Sequence, residues 1–321
     1  MKVLVTGGAG FVGSNLADRL AAEGNELVVL DDLSSGKRDQ VPGGANFYQM
    51  ELDSRWLERV VAREKPDVIC HLAAQISVRR SVEDPLFDAH VNVMGSIGLI
   101  EAARKHDVKR FLFASTGGAV YGDTEVIPTP ETYQAAPVSP YGTAKLSVEH
   151  YLHCFHEMYG VSYAALRLSN VYGPRQDPHG EAGVVALFSR ALLLGKTPTI
   201  NGEGKQTRDY VYVGDVVDAF VAALGSDTSG RFNVGTGVET DVNQLYDLIA
   251  GAVGSEASAA HGPAKPGEQA RSCVDAALIG KTFGWRPKNS LADGIPKTVD
   301  FFRTKVAEEA AAARPLRSPL P

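Results

Sequence analysis

The chain contains 321 residues, of which 44% are hydrophobic, so it can build one large two-lobed domain or two smaller ones. Its formal net charge of −6 does not favour a nucleic-acid-binding protein. No apolar run approaches the roughly 18 residues of a membrane helix, and Met1-Lys2 leads straight into an apolar strand with no signal peptide.

The three cysteines, Cys70, Cys154 and Cys273, lie far apart and lack the spacing of metal ligands. They predict free thiols in a reducing cytoplasm and no metal centre. Cys70 lies in an apolar strand, where we expect it to be a core residue.

The first half of the chain alternates apolar, strand-like segments with amphipathic, helix-like ones. The predicted strands span 2–6, 26–31, 46–50, 67–72, 109–114 and 161–168. The predicted helices span 13–23, 54–64, 86–106 and 141–159. Such alternation predicts an α/β protein with a Rossmann-type, doubly wound parallel sheet.

A glycine-rich turn connects the first predicted strand to the first helix. Gly7, Gly10 and Gly13 follow the apolar run 3–5 and open a helical pattern. Such a turn lets backbone N–H groups approach a pyrophosphate, and the helix dipole favours its negative charge. We therefore assign the three glycines, with Phe11 and Val12 between them, to a dinucleotide cofactor.

An acidic pair ends the second predicted strand. Asp31 stands where a carboxylate accepts hydrogen bonds from the adenosine ribose hydroxyls. Asp31 and Asp32 would repel a 2′-phosphate, which favours NAD over NADP. The further residues assigned to cofactor binding follow the third and fourth strands or lie in the 86–106 helix: Glu51, Leu52, Ala73, Ala74, Gln75 and Asn92.

Tyr141 and Lys145 lie one helical turn apart on one face of the 141–159 helix. The ordinary pKa of a tyrosine, about 10, is too high for a base near neutrality, and a neighbouring cation would lower it. The tyrosine could then take a proton from an alcohol as hydride leaves the carbon. Ser115 and Thr116, at the end of the fifth strand, could share the substrate oxygen.

The second half is less regular and predicts a smaller α/β substrate lobe that interleaves with the first. Its predicted elements are a helix near 182–195, a strand and helix within 209–224, and helices at 274–284 and 291–304. We expect an NAD-binding domain at 1–172, to which 209–240 returns. The substrate lobe takes 173–208 and 241–306, and 307–321 is expected to be a flexible tail.

At this point the chain resembles the extended short-chain dehydrogenase/reductases, and within them the nucleotide-sugar 4-epimerases. The resemblance runs from Met1 to about Phe302 and is carried by seven motifs: the glycine turn, His71-Leu72-Ala73-Ala74, Ser115-Thr116, Val120-Tyr121-Gly122, Tyr141-Gly142-Thr143-Ala144-Lys145, Leu166-Arg167-Leu168-Ser169-Asn170-Val171-Tyr172-Gly173-Pro174 and Arg208-Asp209-Tyr210-Val211.

The resemblance implies an NAD-dependent isomerase that acts on a UDP-hexose through a transient 4-keto sugar. Tyr141 is then the base for the sugar 4-hydroxyl, and Lys145 lowers its pKa and positions the cofactor. An ungapped comparison places glycine where the family has its catalytic hydroxyl, and a one-residue bulge would restore Thr116, so Thr116 is preferred and Ser115 is the alternative. Gly117-Gly118 replaces the Asp-Glu pair of the family's 4,6-dehydratases.

The resemblance also implies where the sugar nucleotide binds. Asn170 and Arg208 are expected at its diphosphate, and Lys265 stands where many relatives carry a second phosphate-binding arginine. Arg271 is a possible additional cation. Ser272 stands where relatives that take only plain hexoses have a tyrosine, and with Gly117 and Gly118 it predicts a roomy pocket that also admits N-acetylhexosamines.

Two alternatives and one assembly state complete these expectations. An enzyme for UDP-glucuronate, by epimerisation or decarboxylation, would need carboxylate-binding groups near 175–185, where Arg175 is present. A non-catalytic NAD-binding regulator would be expected to lose Tyr141 or Lys145, and both are present. Surplus apolar positions on the 86–106 and 141–159 helices predict a homodimer, with examples at Leu99, Ile100, Leu146, Tyr151, Leu152 and Phe155.

Overall fold

The computed structural model describes residues 1–179, 183–264 and 269–312. The strands are β1 Lys2–Thr6, β2 Glu26–Asp31, β3 Asn46–Gln49, β4 Val68–His71, β5 Arg110–Thr116, β6 Ser162–Leu168, β7 Asn170–Tyr172, β8 Thr199–Asn201, β9 Thr207–Tyr212, β10 Gly230–Val234, β11 Glu239–Asp241, β12 Ala260–Gly262 and β13 Arg271–Ser272. The helices are α1 Phe11–Ala22, α2 Leu57–Glu64, α3 Val78–Glu83, α4 Pro85–Ala89, α5 Gly95–Lys105, α6 Pro140–Tyr159, α7 Val184–Leu193, α8 Val213–Leu224, α9 Val242–Val253, α10 Ala277–Phe283 and α11 Leu291–Ala312, with a π-helical segment, His90–Met94, between α4 and α5.

Seven parallel strands form the large sheet, in the order β10-β6-β5-β4-β1-β2-β3. The strand order reverses between β1 and β4, and ligands of such sheets bind at this reversal, outside the carboxyl ends of the strands. The predicted Rossmann-type sheet is therefore confirmed. The glycine turn, the end of β4 and the end of β5 all lie at that edge.

Helices cover both faces of the large sheet, as the continuous apolar runs of its strands require. On one face, Leu16 and Leu20 of α1 pack with Phe220 of α8. On the other face, Leu99 of α5 and Leu152 of α6 belong to a second core cluster. Because both faces are sealed, only the strand ends remain for chemistry.

The smaller lobe contains a mixed sheet around β9. β11 pairs with β9 in antiparallel fashion, whereas β7 and β13 pair with it in parallel. Helices α7, α9 and α11 build a separate core that includes Phe188, Leu245 and Val299. β10 lies in the large sheet, so the chain returns there after the strands β7 to β9.

Several elements differ from the sequence prediction. The helix expected at 86–106 is present as continuous helical residues from Pro85 to Lys105, capped by Asp84, but the π-helical segment His90–Met94 divides it into α4 and α5. Helix α9 lies at 242–253, where no element was predicted. The strands β7 and β9 belong to the small sheet, so the lobes change over at 168–170 and 212–213 rather than at 172 and 209. Helix α11 continues past 306 to Ala312.

A buried ion pair attaches α6 to the large sheet. Glu149 of α6 is 0% exposed and Arg167 of β6 is 2% exposed. The Arg167 Nε and Nη2 atoms bind the two Glu149 oxygens at 2.9 and 2.6 Å, and the Ser115 hydroxyl donates to Oε1 at 2.6 Å. The Glu149 carboxylate beside Arg167 raises the pKa of the guanidinium despite its burial. Both charges are therefore paired in the interior.

Replacing Glu149 with alanine leaves Arg167 buried without its carboxylate partner. We expect Glu149→Ala to lower the free energy of unfolding by about 3–5 kcal/mol, the range for breaking one side of a buried pair. Chemical denaturation followed by circular dichroism measures the change. The control is Glu157→Ala, because Glu157 lies on the same helix and is 65% exposed. Equal effects of the two substitutions would contradict a special role for the pair.

Candidate active site

The glycine turn is closed so tightly that side chains have no room in it. Gly7 has a φ of +69°, and a Cβ there would lie 2.6 Å from the Ala73 nitrogen. A Cβ on Gly13 would lie 2.0 Å from the Gly7 oxygen. Helix α1 begins at this turn without a side-chain cap. Its first N–H groups thus have the arrangement that suits a phosphate.

Asp31 ties the end of β2 to this turn. Its side chain is 6% exposed, and its two oxygens accept hydrogen bonds from the backbone N–H groups of Ala9 and Leu33, each at 2.9 Å. Burial raises the pKa of the Asp31 carboxyl, and the two backbone hydrogen bonds counteract the rise. A carboxylate has about four acceptor positions, so capacity remains for ribose hydroxyls. Asp32 is exposed and accepts hydrogen bonds from Ser34.

The segment after β4 rests on a buried histidine. The Thr6 hydroxyl and His71 Nδ1 lie 2.7 Å apart, and His71 Nε2 lies 2.8 Å from the Ser96 hydroxyl. Because Ser96 donates to the Asn92 carbonyl, its oxygen must accept from Nε2. Burial lowers the pKa of His71 to about 3, so the ring is neutral and holds this network. Thr6 in turn accepts from the Ala73 backbone N–H.

Asn92 and Asp88 fix the next residues of that segment. The Asn92 amide oxygen accepts from the Gln75 backbone N–H at 2.9 Å, and its Nδ2 donates to the Gln75 carbonyl at 2.8 Å. Asp88 Oδ1 accepts from both the Gln75 side chain and Asn92. The π-helical segment carries Asn92, and such segments often occur at functional sites. Ala73, Ala74 and Gln75 are thus held beside the glycine turn.

Helix α6 directs Tyr141 and Lys145 toward the end of β5. Ser139 caps the helix by accepting from the Gly142 N–H, and Pro140 occupies its first turn. The Lys145 Nζ donates to the Ala114 carbonyl at 2.9 Å and lies 5.9 Å from the Tyr141 ring centre. The two side chains are therefore brought together as the sequence pattern implied.

Burial dominates the protonation of this pair in the protein alone. It raises the pKa of Tyr141, and the Asp88 carboxylate raises it further. Burial also lowers the pKa of Lys145 to about 8. The expected lowering of the tyrosine pKa by Lys145 is not the dominant effect here, because desolvation has the larger effect on the pKa of both groups.

The two hydroxyls at the end of β5 point in different directions. Ser115 is 4% exposed and donates to Glu149 in the interior. Thr116, the next residue, lies half-buried on the other side of the strand. Its hydroxyl is 3.9 Å from the position that a Cβ on Gly118 would take. A backbone contact between Ala119 and Gly142 places this turn against the start of α6.

The small sheet brings polar groups to the same place. The Asn170 Oδ1 and Ser272 Oγ atoms lie 3.7 and 3.9 Å from that same Cβ position on Gly118. In the strand register, Arg208 pairs with Ser272 and Tyr210 with Asn170. Paired residues share a face of a sheet, so Asn170, Arg208 and Ser272 lie on one face, and Asn170 and Ser272 reach the Gly118 position that Thr116 also approaches.

Arg271 does not join this group. It is the neighbour of Ser272 along β13 and thus projects from the opposite face. There it forms an ion pair with Glu239, which also accepts a hydrogen bond from Thr207. Its expected role at the diphosphate is therefore not supported by its position. Lys265 lies outside the described residues.

The two glycines after Thr116 differ in how closely they are packed. A Cβ on Gly117 would lie 2.9 Å from Val274 and 3.1 Å from the Arg167 carbonyl, so this position is closely packed. The expectation that Gly117 leaves space beside the substrate is wrong. Gly118 alone faces the polar cluster, with its nearest neighbours at ordinary contact distance.

These features fit a bound dinucleotide. The closed glycine turn leaves backbone N–H groups for a pyrophosphate, and Asp31 offers acceptors for a ribose. Two other assigned residues are less involved: Leu52 is 7% exposed and packs against Gly95 in the core, and Glu51 is exposed. Phe11 and Val12 are half-buried in the first turn of α1.

Sequence reasoning missed the buried polar groups behind the catalytic pair, of which Asp88 is the most unusual. It also missed Ser81, whose hydroxyl accepts from the Tyr141 backbone N–H at 3.2 Å. One signal was available: Asp88, Asn92 and Ser96 recur every fourth residue. Such a polar stripe on a helical segment indicates a buried network when the segment is otherwise apolar.

The chain matches the NAD dependent epimerase/dehydratase family over residues 3–235. It is 50% identical over 311 residues to the UDP-glucose 4-epimerase of Mycolicibacterium smegmatis, which covers 95% of this chain and 99% of that protein. The structure resembles that of a UDP-glucose 4-epimerase with UDP-glucose from Thermotoga maritima, with a TM-score of 0.94, 45% identity, and coverage of 95% of this chain and 100% of the other. It also resembles the Thermus thermophilus UDP-glucose 4-epimerase in complex with NAD, with a TM-score of 0.90, 44% identity, and coverage of 94% and 99%.

Proposed function

The chain belongs to the NAD-dependent epimerase/dehydratase family, and we propose that it inverts C4 of a UDP-hexose, interconverting UDP-glucose and UDP-galactose. The observation that carries the proposal is the pairing of Tyr141 with Lys145, whose ammonium is bound to Ala114 at the end of β5, on the sheet edge where the glycine turn lies. NAD, when bound, accepts a hydride from the sugar and returns it. The residues described below bind, orient and exchange a proton.

Tyr141 is the group that takes the proton from the sugar 4-hydroxyl and gives it back. A base must lie within hydrogen-bond reach of the proton, and α6 holds the Tyr141 ring 5.9 Å from the Lys145 ammonium, which is bound to the Ala114 carbonyl of β5. Lys145, fixed by the Ala114 carbonyl, supplies positive charge beside the phenol. Its pKa of about 8 keeps it mainly charged at neutral pH.

Thr116 is our candidate for the hydroxyl that shares the substrate oxygen. It faces Gly118, Asn170 and Ser272, whereas Ser115 is engaged by the buried Glu149. The absence of an acid-base pair at Gly117-Gly118 leaves no group there for an elimination. Inversion without dehydration is therefore the reaction that this arrangement supports.

Asn170 and Arg208 are proposed to hold the UDP diphosphate. They share one face of the small sheet with Ser272. A guanidinium matches phosphate as a planar fork, and an amide can donate beside it. The UDP-glucuronate alternative is less well supported, because Arg175 forms an ion pair with Asp18 at 2.5 Å.

No helix in the described parts of the chain has the length and apolar character needed to cross a bilayer. Cys70, Cys154 and Cys273 are free thiols, and Cys70 is a fully buried core residue. Unpaired cysteines are the normal state in a reducing compartment, so we propose a cytoplasmic location.

Removing the Tyr141 hydroxyl tests the proposed base. We expect Tyr141→Phe to lower turnover of UDP-galactose by about 100-fold or more, in line with the loss of a general acid–base group. A coupled assay for UDP-glucose measures turnover, and absorbance after denaturation measures NAD per subunit. The control is Tyr151→Phe, an exposed tyrosine of the same helix. A loss of less than about threefold would exclude Tyr141 as the base.

Ser272 is proposed to set the breadth of the sugar pocket, and the proposal extends to the N-acetylhexosamine pair. Ser272→Tyr adds a ring opposite Gly118, where the nearest atoms are now 3.7 Å or more from the Cβ position. We expect it to lower turnover of UDP-N-acetylglucosamine at least about tenfold more than turnover of UDP-glucose, because one lost contact or clash is worth 1–3 kcal/mol. Parallel assays of both sugars measure the ratio. An equal fall in both would show that Ser272 does not select the sugar.

A homodimer is proposed, although the surface that supports it only partly matches the one expected. Leu99, Ile100 and Leu152 are 0% exposed and belong to the core of the subunit. Tyr151 is exposed as expected, and the further exposed apolar side chains of the 78–105 segment and α6 are Val78, Val82, Leu86, Met94, Met158 and Tyr159. Exposed apolar surface of this kind is typical of an interface.

Light scattering at micromolar concentration is expected to give the mass of two chains. Tyr151→Glu places a charge among these apolar side chains and should shift the mass toward one chain, because burying an unpaired carboxylate is costly. Glu157→Gln, on the exposed part of the same helix, is the control and should leave the mass unchanged. A single-chain mass for the wild type under these conditions would refute the dimer.

A further inference from the structure

Asp88 is a carboxylate that the proposed chemistry does not yet use, and it lies in the wall of the active site. It is 1% exposed, near the end of α4. Its Oδ1 atom accepts hydrogen bonds from Gln75 Nε2 at 2.8 Å and from Asn92 Nδ2 at 2.9 Å. Through these bonds it holds the segment after β4 against the helix that carries Asn92.

The second oxygen of this carboxylate is unusual. Asp88 Oδ2 is buried and has no hydrogen-bond partner among the described residues. A buried carboxylate with half of its acceptors unused carries a substantial desolvation cost. Neutral side chains of similar size could satisfy Gln75 and Asn92 without that cost. The hydrogen bonds alone therefore do not explain why the position bears a charge.

The neighbouring elements show what the charge acts on. On α6, the titratable groups that interact electrostatically with Asp88 are Lys145 and Tyr141, and the Asp88 carboxylate raises the pKa of both. Lys145 likewise stabilises the Asp88 charge, which burial disfavours. Among the described residues of the segment after β4 and the π-helical segment, the side-chain amides of Gln75 and Asn92 donate hydrogen bonds to it. The charged residues of α3 are exposed to solvent: Arg79, Arg80 and Glu83.

We propose that Asp88 is a positioning residue of the active site, which fixes Gln75 and Asn92 through one oxygen and balances the charge of Lys145 beside Tyr141 through its carboxylate. This inference rests on the proposed epimerase function. It assigns two separable roles to one side chain: the hydrogen bonds maintain the shape of the cofactor side, and the charge sets the pH range in which the Tyr141–Lys145 pair works.

Asp88→Asn separates the two roles. The asparagine oxygen can keep both hydrogen bonds of Oδ1, and its NH2 group replaces an oxygen that has no partner, so shape is preserved and charge is removed. Removal of a negative charge lowers the pKa of Tyr141 and of Lys145 alike. We expect both limbs of the pH profile of kcat to move to lower pH, on the order of half a unit to one unit.

Two further measurements make the result specific. NAD per subunit should match the wild type, because the Gln75 and Asn92 bonds remain. Tyrosinate absorbance of Asp88→Asn is titrated against pH, and the same titration of Asp88→Asn/Tyr141→Phe is subtracted from it. The difference reports the Tyr141 ionisation without any substrate. Glu83→Gln is the matched control, since it removes one negative charge from the adjacent helix at a site 62% exposed, and its profile should coincide with that of the wild type.

The outcomes distinguish the inference from the function on which it rests. A wild type that does not epimerise any UDP-hexose refutes the function, whereas the tyrosinate titration still tests Asp88. An active wild type with the same pH profile and the same titration in Asp88→Asn overturns the inference. Loss of NAD or of folding in Asp88→Asn would also overturn it, because the asparagine preserves every hydrogen bond that the proposal attributes to shape.

Discussion

The arrangement of the active site depends on the buried ion pair between Glu149 and Arg167. Tyr141, Lys145 and Glu149 follow one another at intervals of four residues, so all three project from one face of α6. A buried glutamate must be paired, and its partner lies on β6 within the large sheet. The face that carries the catalytic pair is therefore the face that the ion pair turns toward the sheet. The helix cannot rotate about its axis without separating these two charges.

The same ion pair also determines which of the two hydroxyls at the end of β5 is turned toward the interior. Ser115 donates to Glu149, and neighbouring residues of a strand point to opposite sides, so Thr116 must point away from the pair. On the other side of Arg167, its Nη1 donates to the Tyr121 hydroxyl, which in turn donates to Asn233 of β10. The turn between Thr116 and Tyr121 is thus fixed at both ends, by the bond from Ser115 to Glu149 and the bond from Arg167 to Tyr121. Ser115, which supports the buried ion pair, is therefore the direct neighbour of Thr116, the candidate for contact with the substrate oxygen.

Much of this architecture could be predicted because its signals are local. Glycine spacing, an acid at the end of β2 and the Tyr141–Lys145 interval each follow from the geometry of one element. The failures concern information that is not local. That Arg271 and Ser272 lie on opposite faces follows only from the register of β13 against β9, and that Gly117 is packed whereas Gly118 is open follows only from the position of Val274. The apolar periodicity of 86–106 located the helical residues 85–105, but it did not indicate the π-helical segment His90–Met94 within them.

Two separate physical quantities govern the protonation of the catalytic pair. Burial disfavours the charged form of each group, so it raises the pKa of Tyr141 and lowers the pKa of Lys145. The two pKa values therefore move in opposite directions. A neighbouring negative charge moves both pKa values in the same direction, because it disfavours the tyrosinate and favours the ammonium. The enclosure of the site therefore sets the spacing of the two ionisations, and Asp88 sets their common position on the pH scale. A change in burial alone cannot shift both pKa values in the same direction, and a change in the Asp88 charge alone cannot shift them in opposite directions.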